Sequence, residues 1–231
     1  MIPPSKILYA KKENSVIILT MFMRQRNVKN KKEIINSSKY VILNPSELKG
    51  KWKELFSNDN PIYIEIGMGK GDFIKENAIK YPDINFIGIE KFDSIIALAI
   101  KKIENLDIPN LKLIRMDALE INSVFSKEID KIFLNFSDPW PKPRHEKRRL
   151  TSSDFLEKYD DVFRENKIIE MKTDNRKLFE YSIVSFNKND YKIEEIILDL
   201  HHDNKENNIM SEYERKFSEK NNLIYYIKVV K

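Results

Sequence analysis

Residues 61–71 read PIYIEIGMGKG. Ile62, Ile64 and Ile66 alternate with Tyr63 and Glu65, and the run then breaks into Gly67, Gly69 and Gly71. A short apolar run of this kind is the pattern of a strand buried on both faces, as in a parallel sheet. Ligands of such sheets bind beyond the C-terminal strand ends, where the glycines fall. The spacing is Gly-x-Gly-x-Gly, whereas a dinucleotide site shows Gly-x-Gly-x-x-Gly, so the loop alone does not name its ligand. Glu65 narrows the choice. A carboxylate inside a doubly buried strand costs several kcal/mol unless a cation meets it.

Similar runs follow along the chain. NFIGIE (85–90), LKLIRMD (111–117), KIFLNFSD (131–138) and KIIEMKTD (167–174) read as further strands, and YKIEEIILDL (191–200) and LIYYIKVV (223–230) as two later ones. Between the second and third, Phe92, Ile95, Ile96, Ala99, Ile100, Ile103 and Leu106 recur at helical spacing. Thr151 with Asp154 resembles a capping box ahead of Phe155, Leu156, Tyr159, Val162 and Phe163. Asp174 can cap a following helix whose inner face carries Leu178, Phe179, Ser182, Ile183 and Phe186. Strands alternating with helices predict a mostly parallel seven-stranded sheet with helices on both faces. The expected division is 1–60, a basic N-terminal arm with a short helix around SELKGKWKELF, and 61–231, the main domain.

Charge and composition bound the function. The 231 residues carry 33% charged side chains and no cysteine, which excludes disulfides, thiolate metal sites and a Cys nucleophile and suits a cytoplasmic protein. VIILTMFM (16–23) is too short to span a bilayer, and Arg24 and Arg26 follow it where a signal peptide would carry small residues. Residues 1–40 hold nine Lys/Arg against two acids, a net of +7 in a chain of +5 overall. That arm is either a polyanion contact or a solvated lysine-rich surface. A second basic run, at 142–149, is rich in Arg, whose planar fork suits phosphate. His145 reads as a phosphate-side group, and His201 and His202 as plain loop residues; no spacing suggests a metal.

Five successive strands end in or near an acid: Glu65, Glu90, Asp117, Asp138 and Asp174. One such acid is usually a helix cap; five together predict a shared site. A pyrophosphate would be repelled there, whereas S-adenosyl-L-methionine brings an ammonium and a sulfonium. Its ribose diol suits an acid about 20 residues beyond the glycines, and Glu90 lies 19 residues after Gly71. Asp117 with Ala118 can meet the adenine. The pocket chemistry therefore favours S-adenosyl-L-methionine over a nicotinamide cofactor.

The stretch NFSDPWPKPRHEKRRL (135–150) sets Asp138 on a Pro-flanked turn directly before the basic run. Pro139 and Pro141 restrict the backbone around the carboxylate, and Trp140 is expected to pack in the core. With EIGMGKG, GIEKF, RMDA, MKTDNRKLFEYS and SEYERKF, this block resembles the bacterial tRNA (guanine-N7-)-methyltransferases of the TrmB type. The resemblance runs from about residue 23 to the C-terminus. It implies a Rossmann-like class I S-adenosylmethionine-dependent methyltransferase acting on N7 of a guanosine in the tRNA variable loop. It places cofactor contacts on Glu65, Glu90, Asp117 and Asp138, with Asp138 also catalytic. Substrate contacts fall on Lys142, Asp174, Ser211, Glu212, Tyr213 and Glu214. The RNA-contacting run falls on Pro143, Arg144, His145, Glu146, Lys147 and Arg148. Pro143 stands where the family commonly has Lys, which implies one phosphate contact fewer. Residues 1–22 have no counterpart in the pattern, so Met23 is expected to be the functional start.

Guanine N7 carries a lone pair and no proton, so attack on a methyl group needs no general base. Alignment and electrostatic support are the expected tasks. Asp138, Asp174 and Glu214 are candidates for the N1–H and amino edge of guanine, and Ser211 with Glu214 also matches a capping box. Two other readings stay open: an amino-directed nucleic-acid methyltransferase, whose Asp/Asn-Pro-Pro-aromatic turn DPWP resembles out of order, and a catalytically weak tRNA-binding protein of the same fold. A small-molecule methyltransferase would not need the basic run. A monomer or homodimer with no obligatory protein partner and no membrane is expected.

Overall fold

The computed structural model describes residues 28–203, 205–219 and 222–231. Residues 1–22 and the start at Met23 lie outside the described residues, as does most of the basic arm. The first described elements are helix α1 (Lys31–Ser37), strand β1 (Val41–Ile42), a 3-10 turn at Pro45–Leu48 and helix α2 (Trp52–Phe56). SELKGKWKELF thus forms two short pieces, not one helix. The alternating part follows: β2 (Ile62–Ile66), α3 (Asp72–Lys80), β3 (Asn85–Glu90), α4 (Asp93–Ile103), β4 (Leu111–Arg115) and α5 (Ile121–Val124). It continues through β5 (Ile129–Asn135), α6 (Ser153–Val162), β6 (Phe163–Thr173) and α7 (Arg176–Lys188). β7 (Lys192–Ile197), α8 (Glu212–Ser218) and β8 (Tyr225–Val230) complete it.

The sheet has eight strands in the order β1-β4-β3-β2-β5-β6-β8-β7. The expected seven are all present. The eighth, β1, pairs in parallel with β4 through Val41–Leu113 and Ile42–Ile114. Two residues are too few for a periodic signal, so only this pairing reveals the strand. β8 enters antiparallel between β6 and β7; the remaining ladders are parallel. The chain winds from β2 to β4 in one direction and from β5 to β6 in the other, so the strand order reverses between β2 and β5. That reversal opens a crevice at the C-terminal strand ends, the usual ligand position of such sheets.

Two cores sandwich the sheet. On one face Ile35 of α1, Phe73 and Ile74 of α3 and Ile96, Ala99 and Ile100 of α4 pack together. On the other, Trp52, Val124, Phe155, Tyr159, Leu178 and Phe179 come from α2, α5, α6 and α7. The helical spacing at 92–106 holds for Ile96, Ala99, Ile100 and Ile103, whereas Phe92 and Leu106 remain exposed at the helix ends. Two capping expectations need correction. Thr151 is buried, and its hydroxyl bonds Ser182 Oγ at 2.8 Å, tying the start of α6 to α7; Ser152 occupies the cap position without a side-chain capping bond, its hydroxyl donating instead to the Lys147 carbonyl at 3.4 Å. The cap of α7 is Asn175, whose side chain accepts from Leu178 N–H at 2.9 Å, so Asp174 does not serve as the cap.

Candidate active site

The crevice is lined by one carboxyl from each of β4, β3, β2, β5 and β6 or the residues just past them. Glu65 is 2% exposed. Its Oε1 accepts from Asn135 Nδ2 at 2.9 Å, and its buried Oε2 has no partner among the described residues. Burial raises its pKa to about 8, against the pull of Asn135 and Lys172 and with the help of the neighbouring Glu90. Glu90 is also buried. It accepts from Gly69 N–H at 3.1 Å and Phe92 N–H at 2.9 Å, so it fixes both the glycine loop and the entry to α4. Burial raises its pKa despite those donors, and the charge of Asp138 adds to the rise. Asp117 differs. It caps the 3-10 turn Ala118–Glu120 by accepting from Leu119 N–H, and Lys91 pairs with it. Desolvation is outweighed there by Lys91 and the Leu119 N–H, so its pKa falls.

The glycine loop folds back onto β3. Gly67 and Met68 both donate to the Ile89 carbonyl, at 2.9 and 3.0 Å. Gly67 and Gly69 have φ of 77° and 58° with open space where a Cβ would stand, so backbone conformation is what demands glycine there. At Gly88 the demand is spatial: a methyl group would overlap the Met68 sulfur and press on Leu113. That glycine lets Met68 lie across β3 beneath the loop.

Asp138 stands on a strained turn. Phe136 and Trp140, on either side of it, have φ of 52° and 41°, left-handed values that non-glycine residues seldom adopt. Asp138 keeps an exposed face, yet the surrounding protein desolvates its carboxyl enough to raise the pKa. Trp140 does not pack in the core as expected. It is half-buried on the basic run, with Arg148 4.9 Å over its ring and His145 edge-on at 5.6 Å. A core position is closed to it because the left-handed turn and its proline neighbours carry the chain outward. The run Pro143–Arg148 forms a 3-10 turn with Lys142, Pro143, Arg144, Lys147 and Arg148 exposed. Desolvation, then the positive charges of Arg148, Arg144 and Lys142, lower the His145 pKa.

The segment 208–218 straps across the crevice. Ser211 caps α8 by accepting from Glu214 N–H at 3.0 Å. The return half of a capping box is not made, because the Glu214 carboxylate turns inward. It is fully buried and meets Lys172 Nζ at 3.0 Å and Asn208 Nδ2 at 2.8 Å. Lys172 also donates to the Ile209 carbonyl at 2.8 Å, and burial lowers its pKa against the pull of Glu214. His201, expected to be a plain loop residue, has its Nε2 buried 3.5 Å from Glu214 Oε1. Glu212 receives Lys70 of the glycine loop at 2.8 Å and Lys102 at 3.3 Å. Burial works to raise its carboxyl, but Lys216 and Lys70 outweigh it and hold the pKa at about 2. Tyr213 donates to Asp174 at 3.3 Å and packs on Phe136 and Phe217, with ring centroids 4.8 and 4.0 Å away. Burial raises the Asp174 pKa despite that hydrogen bond.

Of the residues expected from the sequence, Glu65, Glu90, Asp117, Asp138 and Asp174 lie at or near the C-terminal ends of the parallel strands, and Tyr213 reaches Asp174 from α8. Glu214 and Glu212 are engaged within the protein, the first as a buried anchor and the second on lysines. Sequence reasoning passed over Asn135, Lys172 and Lys70. Lys172 interrupts the apolar run of KIIEMKTD, and that interruption was the available signal.

Glu65, Glu90, Asp138 and Asp174 are desolvated carboxyls, and Glu65 keeps a buried oxygen with no partner among the described residues, so the crevice favours a cationic ligand. It fits the ammonium and sulfonium of S-adenosyl-L-methionine and would repel a pyrophosphate. Fold and crevice together define a Rossmann-like S-adenosylmethionine-dependent methyltransferase. A family model described as "Putative methyltransferase" matches residues 59–227. The chain is 48% identical over 207 residues to a tRNA (guanine-N(7)-)-methyltransferase of Streptococcus pneumoniae strain Hungary19A-6, covering 89% of this chain and 98% of that one. It is 49% identical, with the same coverage, to one of Streptococcus pyogenes serotype M18. The chain belongs to the bacterial tRNA (guanine-N7-)-methyltransferase family, the TrmB type. Among solved structures, an antibiotic-related methyltransferase superposes with a TM-score of 0.61 at 17% identity, covering 79% of this chain and 92% of that one. A 16S rRNA (adenine(1408)-N(1))-methyltransferase from Catenulisporales acidiphilia, with SAM, does so at 0.57 and 14%, covering 82% and 92%. At such identities these two likenesses concern the fold.

Proposed function

We propose that this enzyme methylates N7 of a guanosine in the variable loop of tRNA, forming 7-methylguanosine. The observation that carries the reading is Asp138, held beside the cation-seeking crevice on a turn that runs directly into an exposed basic 3-10 turn. S-adenosyl-L-methionine, when bound, supplies an electrophilic methyl group. Glu65, Glu90 and Asp117, with the loop of Gly67, Gly69 and Gly71 and with Ala118, hold that cofactor. Asp138 acts as a fixed charge and hydrogen-bond acceptor. Because N7 has no proton to lose, no side chain need serve as a base. Asp174 and Tyr213 face the same crevice from β6 and α8 and present acceptor and donor groups for the guanine edge. Ser211, Glu212 and Glu214 shape that wall, Glu214 by its buried pair with Lys172. Lys142 and the run Pro143, Arg144, His145, Glu146, Lys147 and Arg148 position the RNA backbone. The catalytic machinery lies within 61–231, and the part of 1–60 that the structure describes packs on it, β1 joining the sheet and α1 and α2 its two cores. A tRNA substrate accords with a cytoplasmic protein, and no obligatory protein partner enters the scheme.

Acceptor substitution tests this directly. A tRNA transcribed with 7-deazaguanosine keeps the Watson–Crick edge of guanine, including the amino group, but has carbon in place of N7. Methyl transfer should occur with the guanosine transcript and vanish with the deaza transcript. Equal transfer to both would place the acceptor elsewhere, as an amino-directed enzyme requires.

A further inference from the structure

Arg149, the last residue of the basic run, points away from the surface that the other cations share. Its Nε donates to the Pro139 carbonyl at 3.2 Å and its Nη2 to the Trp140 carbonyl at 3.1 Å. Its guanidinium lies 4.2 Å over the ring of Tyr181 on α7, and the Tyr181 hydroxyl donates to Glu146 at 3.1 Å. Arg149 is half-buried, whereas Arg144, Lys147 and Arg148 are exposed.

The turn that Arg149 grips has few other holds. Pro139 and Pro141 have no N–H. Among the described residues, no backbone–backbone hydrogen bond reaches residues 137–141; the last ones are the β5 ladder and Phe136 N–H to the Lys172 carbonyl. A left-handed Trp140 persists only where the surroundings over-determine it. The guanidinium fork bridges two successive carbonyls, which an ammonium on a flexible stem does not reproduce.

From this geometry we infer that Arg149 is a positioning residue: it braces the Asp138 turn against α7 and takes no part in binding RNA phosphate. The inference rests on the proposed function only in so far as Asp138 acts in that reaction; the bracing itself is independent of it. The neighbouring Arg148 has the opposite role, since it faces outward over Trp140. Adjacent arginines therefore divide between holding the catalytic turn and holding the RNA.

Arg149→Lys keeps the charge and removes the fork. The expected result is a single-turnover rate, at saturating tRNA, lowered by about tenfold, with the tRNA KM and its salt dependence unchanged. Arg148→Gln should instead raise KM and flatten the salt dependence. A second readout needs neither cofactor nor RNA. The chain has two tryptophans, and Trp52 is fully buried, so collisional quenching by acrylamide reports Trp140. Quenching should increase in Arg149→Lys as the turn loosens. Parental rate and quenching in that variant would overturn the inference, as would a KM and salt response like that of Arg148→Gln. Should Arg149→Lys fail to fold, Tyr181→Ala removes the platform instead and must show the same pattern of lowered rate and increased quenching. If the parent enzyme yields no 7-methylguanosine, the functional reading falls, while the quenching comparison still decides the bracing role.

Discussion

Replacing Glu65 with Gln should make the ligand-free protein more stable at alkaline pH while weakening its hold on the cofactor. Burial raises the Glu65 pKa from 4.5 to about 8. Between those values the folded, ligand-free protein binds a proton that the unfolded chain has released. The resulting stability is fully present below the unfolded pKa and is lost as pH rises through the folded one. From about pH 6 to about pH 8 the loss amounts to roughly 2 kcal/mol at ~1.4 kcal/mol per unit. Gln at 65 can still accept from Asn135 but cannot ionise, so it escapes that loss. Glu90, Asp138 and Asp174 are shifted in the same direction, so the informative quantity is the difference between parent and variant. Urea denaturation without cofactor should show the variant gaining about 2 kcal/mol on the parent from about pH 6 to about pH 8. Titration calorimetry near neutral pH should show S-adenosyl-L-methionine binding weakened by roughly 1–3 kcal/mol in the variant, and more proton release from the parent than from the variant. Parallel stability profiles with unchanged affinity would show that Glu65 is not the buried acid that receives the cofactor's charge.

Other expectations follow from the same structure. Lys172→Met leaves Glu214 buried without its cation and should destabilise by about 3–5 kcal/mol in chemical denaturation, with much of the loss recovered when Glu214→Gln is added. Gly88→Ala should cost about 1–3 kcal/mol by forcing Met68 off β3, visible as a lowered Tm. Replacing Arg144, Lys147 and Arg148 with Gln should raise the tRNA KM, spare cofactor affinity and flatten the salt dependence by about one unit of slope or less per lost contact. Asp138→Asn should retain more single-turnover activity than Asp138→Ala, both well below the parent. Burial raises the pKa of Asp138 and of Asp174, so the parental rate should fall toward acid pH as they protonate and level off above. A rate still climbing tenfold per unit well above neutrality, and losing that climb in Asp138→Asn, would mean general-base action.

The strands were legible because each is a short run rich in apolar residues, and the acids at or near the ends of five of them share one edge because β2 to β6 run parallel. What stayed hidden depends on partners distant in sequence. β1 is two residues long and exists only through β4. Lys172 reads as an ordinary polar residue of a strand until Glu214 arrives 42 residues later to bury with it. Arg149 is indistinguishable by composition from Arg148; its direction is set by Tyr181 on α7. Trp140 reads as core by its type, and the left-handed backbone between two prolines turned it outward. The capping error at Thr151 has a local cause: Ser152 beside it takes the cap position, and the Thr151 hydroxyl finds Ser182 instead.

The central claim is that the crevice and the basic run together deliver a methyl group to N7 of a tRNA guanosine. Incubating the protein with labelled S-adenosyl-L-methionine and unmodified tRNA, then digesting the RNA and separating its nucleosides, tests that most directly. The label should run with 7-methylguanosine, and should be lost from it in Asp138→Ala. Label in a methyladenosine, or none in RNA while the cofactor still binds, would contradict the account.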